Sequence, residues 1–239
     1  MDNILTYILP LFSVLIGYAV ALFLKPTKKN NLKLLMAFSG SFLLSITVMH
    51  LLPEVYEAEM HHGHEHNHEH ANSNAIGIFI MLGILFQIIL EFFSKGAEHG
   101  HVHGHEEMHK MPWLLFISLC IHALLEGFPV SHHNDLALGI AIHHLPIAII
   151  LTSFFINAKL NKTAIFLFMV AFAFMTPLGT ITSEYLPSLS EYYTQITAVV
   201  IGILFHISST IIFESSEGHK FNLAKLSMIA IGIVSAYFI

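Results

Sequence analysis

The chain of 239 residues is 55% hydrophobic and only 11% charged, with a formal net charge of -6. A soluble domain of this size could not hide so much apolar surface, so the class is a polytopic all-α membrane protein. No basic field offers itself to nucleic acid, and the single cysteine, Cys120, excludes an intramolecular disulfide.

In chain order, the apolar runs predict eight transmembrane helices, at about 4–24, 34–54, 75–94, 112–130, 136–157, 163–183, 195–213 and 223–239. Each holds roughly the 20 residues that one hydrocarbon core requires. The first lacks a basic leader and a small-residue cleavage site, and reads as a retained helix. Lys25, Lys28, Lys29 and Lys33 follow it, Lys95 and Lys110 follow the third, Lys159 and Lys162 the fifth, and Lys220 and Lys225 the seventh. The connections after the second, fourth and sixth runs carry no lysine or arginine. Cytoplasmic loops hold the basic excess, so this alternation predicts both termini outside. The eight runs leave little chain over, and residues 1–239 read as a single transmembrane domain.

Two links are long. Residues 55–74 form an outer loop centred on MHHGHEHNHEH, and residues 95–111 an inner loop containing EHGHVHGHEEMHK. The outer loop carries His61, His62, His64, His66, His68 and His70, and the inner one His99, His101, His103, His105 and His109. Such tracts read as metal binding by composition, loose enough to capture a cation and release it.

Ionisable residues within the spans are few: His50, Glu91, His122, Glu126, His143, His144 and His206. Such groups are costly at membrane depth and become functional candidates by default. Four of them fall in the fourth and fifth helices. His122 and Glu126, spaced i, i+4, project from one helix face. His143 and His144 lie about 100° apart around the next helix, so at least one faces the fourth if the two pack as an antiparallel hairpin. Imidazole nitrogens with a carboxylate oxygen suit Zn²⁺, and disfavour Mg²⁺, Ca²⁺ and Mn²⁺. By the i−4 rule, Pro129, Pro146 and Pro177 should free the carbonyls of Leu125, Ile142 and Ala173, two of them beside the proposed ligands. Near the outer helix ends, His50, Glu54, His132, His133, Asp135 and Glu184 are candidates to line an entry path. His206 is either a packing hydrogen-bonder or a pathway ligand.

HALLEG (His122–Gly127) resembles the fourth-helix His-x-x-x-(Asp/Glu)-Gly motif of the ZIP (Zrt/Irt-like) family of divalent-metal transporters, and HHLP (His143–Pro146) its fifth-helix His-Glu-x-Pro motif. HLLPE (His50–Glu54) is similar to the end of that family's second helix. The resemblance spans essentially the whole chain and is of the bacterial type. It implies a 3+2+3 arrangement of helices, with the transport site carried by the fourth and fifth. Carried over, the metal site is His122, Glu126 and His143, with His144 where some members bridge two metals. The chain departs from the pattern at Ala123, Ile147 and Thr176, where relatives hold second-metal ligands; that implies a mononuclear site.

The resemblance thus implies a transporter, not an enzyme, carrying Zn²⁺ or other divalent transition metals from outside into the cytoplasm. Zn²⁺ is expected as transported substrate, with no organic cofactor. The expected partners are the metal ion and the lipid bilayer, with a homodimer left open. The expected location is the plasma membrane, a bacterial inner membrane. Two rivals use the same residues: an integral-membrane metalloenzyme and a zinc exporter. The first is disfavoured because the chain has no His-Glu-x-x-His motif, and Glu126 is the only carboxylate near the histidines. The second predicts cytoplasmic termini.

Overall fold

A computed structural model describes residues 4–24, 29–62, 69–94, 113–131, 134–214 and 222–239, and among these every regular element is a helix. Backbone N–H and C=O groups have no water to pair with in lipid, and a helix satisfies them within one segment. The helices are α1 (Ile4–Leu24), α2 (Lys29–Ile46), α3 (Leu52–His62), α4 (Glu69–Ser94), α5 (Trp113–Gly127), α6 (Asn134–Asn157), α7 (Lys162–Tyr185), the short α8 (Pro187–Ser190), α9 (Tyr193–Glu214) and α10 (Leu223–Tyr237).

Seven stretches are long and apolar enough to cross a bilayer: Ile4–Phe23, Asn31–Ala58, Asn74–Phe93, Trp113–Ser131, Asp135–Asn157, Lys162–Tyr185 and Tyr193–Phe213. The eighth expected span is α10, a shorter apolar helix of 15 residues. At 1.5 Å per residue it is about 22 Å long, less than the ~30 Å hydrocarbon core. The chain is therefore a multi-pass membrane protein, matching the sequence expectation in order and position.

The outer link is shorter than its composition suggests. Helix α3 runs on to His62 and α4 begins at Glu69, so only residues 63–68 of the expected 55–74 loop lie outside the described residues. Pro53 and Glu54 in the first turn of α3, followed by Glu57, Ala58 and Glu59, favour continued helix over a loose loop. The inner loop, 95–111, lies outside the described residues. Between α2 and α3 the chain makes a π-helical turn, Thr47–Leu51, in which the Leu52 N–H reaches back to the Thr47 carbonyl. Pro53 lacks the N–H that would serve Met49, and one widened turn lets the helix continue past it.

By chain order the apolar helices can be counted as three, two and three, but in space they sort into two groups. One comprises α1, α5, α6 and α7, the other α2, α4, α9 and α10. The first packs around Val14, Leu119, Leu151, Phe155, Phe168 and Phe172, with Phe116 and Phe155 set edge-on against Phe168 at 4.9 and 4.8 Å. The second packs around Phe42, Leu43, Ile46, Ile80, Ile201 and Leu204. There α4 and α9 touch backbone to backbone: a Cβ on Gly83 would stand 2.0 Å from the Val199 carbonyl oxygen, and one on Gly202 2.0 Å from that of Ile80. Small residues permit such close crossings in membranes.

Helix α6 belongs to both groups. Its Leu136, Ala137 and Ile140 join the core of the second, while Ala148, Leu151 and Phe155 join that of the first. His143 and His144 sit at the changeover. The turn that follows is tightly made, with Lys159 in the left-handed region (φ 57°) and Leu160 N–H bonded to the Phe155 carbonyl at 3.1 Å. Asn161 then caps α7 through Thr163 N–H at 2.9 Å.

Candidate metal centre

Helix α5 presents His122 and Glu126 on its inner face, as their spacing predicts. The His122 Nε2 atom stands 3.1 Å from Glu126 Oε1, with the two side chains 2% and 0% exposed. From α6, His144 Nε2 lies 3.0 Å from Glu126 Oε2. His143 completes a group of three: one ligand atom from each of His122, Glu126 and His143 falls within 4.8 Å of the others, and all three residues are buried. In a tetrahedral zinc shell with bonds of about 2.0–2.1 Å, neighbouring ligand atoms are about 3.4 Å apart. The three atoms therefore need only a modest contraction to close on an ion.

The two helices that hold these residues meet differently from the expected hairpin. The backbones of α5 and α6 do not run alongside each other; α5 is backed by α7 and α4, and α6 by α1 and α2. Their side chains bridge the space between. On the α5 side, a Cβ on Gly127 would stand 2.1 Å from the Thr176 carbonyl oxygen, and one on Gly179 2.0 Å from that of Leu124. These two glycines allow α7 to approach the last turn of α5, where the Thr180 hydroxyl donates to the Gly127 carbonyl at 3.0 Å. The same approach brings Phe172 to 5.4 Å from the His144 ring. On the α6 side, the Ser13 hydroxyl of α1 donates to the Ala141 carbonyl, two residues before His143.

The proline expectation needs correction at one position, Pro129. Pro146 and Pro177 sit inside continuous helices. The Leu125 carbonyl, expected to be freed by Pro129, accepts the Phe128 N–H at 3.1 Å. This i→i−3 bond tightens the end of α5 just before the 3₁₀ segment Pro129–Ser131, so this carbonyl is not spare beside Glu126.

The remaining candidates lie in separate pairs. His50, within the π-helical turn, has Nδ1 3.9 Å from the Asp135 carboxylate. Glu184 accepts a hydrogen bond from the Tyr7 hydroxyl of α1. Glu54 lies within electrostatic reach of Tyr193. His132 and His133 fall outside the described residues. His206 pairs with Glu91 across α9 and α4 at 2.7 Å, joining two residues that the sequence offered only singly. Sequence reasoning also passed over Gln87, four residues before Glu91 on α4: it is fully buried, and neither amide atom has a hydrogen-bond partner among the described residues. Its signal was a polar residue in an apolar run, overlooked because an amide does not ionise.

Ala123, Ile147 and Thr176 are all buried, and Thr176 is held against Gly127 beside the site. None of the three adds a charged ligand. Among known proteins, the family model described as ZIP zinc transporter matches residues 3–112. No curated protein matches the chain. The matched stretch ends just before α5, so the grouping of His122, Glu126 and His143 is an observation independent of it.

Proposed function

We propose, from that match over residues 3–112, that the chain is a transporter of the ZIP zinc transporter family, and that it carries Zn²⁺ through the membrane at the buried His122–Glu126–His143 group. The observation that carries this reading is the convergence of two imidazoles and one carboxylate, from two helices, in a fully buried place. Buried polar groups in a bundle ordinarily pair with each other. A convergence with ligand spacing suited to zinc is better explained by a cation that visits it.

The direction we propose is from the side of the termini into the cytoplasm, with both termini outside as the lysine pattern predicts. The membrane is the plasma membrane of a bacterial cell. His50, Asp135 and Glu184 near the outer helix ends would offer oxygen and nitrogen to an entering ion, and the inner His-rich segment would receive it on release. With Ala123, Ile147 and Thr176 offering no charged ligand, the site takes one ion at a time. Neutral imidazole and carboxylate disfavour the harder divalent ions. Binding requires unprotonated ligands, so protons compete with the metal.

The direct test is zinc uptake by the purified protein in lipid vesicles. His122→Ala should abolish saturable uptake while leaving the protein monodisperse. Normal uptake by that variant would remove the site assignment. Tags on the two termini, probed from outside intact cells, test the orientation and separate import from an exporter with cytoplasmic ends.

A further inference from the structure

The buried site is capped by the chain that leaves it. Glu126 lies one residue before the end of α5, and His143, with a ligand atom in range of it, lies nine residues into α6. The start of α6 is therefore about 14 Å along that helix from the site, and the chain beyond Gly127 climbs over this distance. Its first residues are closed in, with Phe128 4% exposed and Val130 0%. Two bonds tie this segment to α7, within the first helix group. The Thr180 hydroxyl donates to the Gly127 carbonyl and the Ser131 hydroxyl to that of Ser183, each at 3.0 Å. Other contacts cross to the second group. Tyr193, the first residue of α9, stacks its ring on Phe128, with centroids 5.7 Å and planes 30° apart. Its hydroxyl reaches the Pro129 carbonyl at 3.4 Å, and Val130 sits in the second group's core. Glu54, a candidate for the entry path, lies within electrostatic reach of Tyr193.

We infer that Tyr193 is the gate residue on the side of the α5–α6 turn: its stack on Phe128 closes the metal site there, and an ion passes when the two rings part. This assignment rests on the transport site proposed above and deepens it. A carrier must seal its site on one side while it opens the other. The stack suits that task, because it joins side chains from two helix groups and can part with every helix hydrogen bond kept. An aromatic pair excludes water by its size, yet contributes little enough to be broken and remade in each cycle. Phe128 stands two residues from Glu126, so its withdrawal uncovers the way to that carboxylate. The bonds to α7 then keep the segment attached to the first group while Tyr193 stays with the second.

The test is to tie the two positions together. Phe128→Cys and Tyr193→Cys are combined in the full-length protein with Cys120→Ala, which removes the single native thiol. In lipid vesicles, a short cleavable thiol-to-thiol cross-linker should stop the zinc uptake shown before treatment, and cleaving it should restore that uptake. Each single cysteine variant, treated alike, should keep its uptake. Full uptake by the cross-linked protein, or failure of the two thiols to join, would overturn the assignment. A second measurement places a reporter thiol beside the site, Thr176→Cys in the Cys120→Ala background, and works without zinc. There Tyr193→Ala should raise the rate of reaction with a small charged thiol reagent roughly 2–10-fold, the range that one aromatic pair sets. Tyr193→Phe, which keeps the ring, should leave that rate unchanged. A rate unmoved by Tyr193→Ala, or raised equally by Tyr193→Phe, would also overturn the assignment. Failure of the transport reading is seen separately, as zinc uptake that survives His122→Ala.

Discussion

Each of the two helix groups holds a histidine–carboxylate pair, and the pairs differ in what surrounds them. Glu91 and His206, between α4 and α9, stand 2.7 Å apart with their side chains 24% and 19% exposed. Glu126, in the other group, is wholly buried and faces His122 and His144 together, with His143 in ligand range. The chemistry of the side chains is the same. The first sets one imidazole against one carboxylate. The second site has more nitrogen than one carboxylate can use, and the proposed cation site rests on that surplus. On the reading proposed above, number and convergence, not the presence of histidine and glutamate, set the metal centre apart from the Glu91–His206 pair.

The comparison is broken most sharply by charge removal. Glu126→Gln should abolish saturable zinc uptake in vesicles, a larger loss than the roughly 10–100-fold typical of outer partners. Glu91→Gln should leave the affinity within a few-fold. Equal losses in the two variants would mean that both pairs handle the ion. Next in size is Gly127→Ala. Its Cβ would meet backbone, which cannot swing aside, so α5 and α7 must part. A cost of about 1–3 kcal/mol or more is expected from such overpacking, seen as a lower melting temperature in detergent together with weaker zinc binding.

Acidification sharpens the contrast from another side. Zinc binding displaces protons from its ligands, so uptake should fall steadily from about pH 7 to about pH 5. Measured with no pH difference across the vesicle membrane, an uptake that rose on acidification would contradict direct competition at the site. The smallest effect concerns Gln87, one turn from Glu91. Its buried amide lacks partners, and Gln87→Leu should stabilise the protein by about 1 kcal/mol, since a buried unsatisfied group is costly. Unchanged uptake with a raised melting temperature is expected. Lost uptake would show that the second group takes part in transport.

Much of this was legible without coordinates. The apolar runs located every long helix because a bilayer imposes one length and lipid forbids open backbone. The His122–Glu126 pair followed from helical periodicity alone. The outer loop was misjudged where helix formers outweighed the histidine-rich composition, and α3 continued to His62. The Leu125 carbonyl was misjudged because a local 3₁₀ closure supplied another donor.

By itself, then, the sequence determined the membrane class, the order of the helices and the residue types able to hold a metal. These are properties of composition and of spacing along one helix. Only the tertiary structure decided that α5 and α6 face each other across side chains while leaning on α7, α4, α1 and α2. It alone paired His206 with Glu91, and it gave the adjacent His143 and His144 different neighbours. The reason is geometric: residues 100° apart on one helix are near-equivalent in sequence, and only the packing of other helices determines which meets which partner.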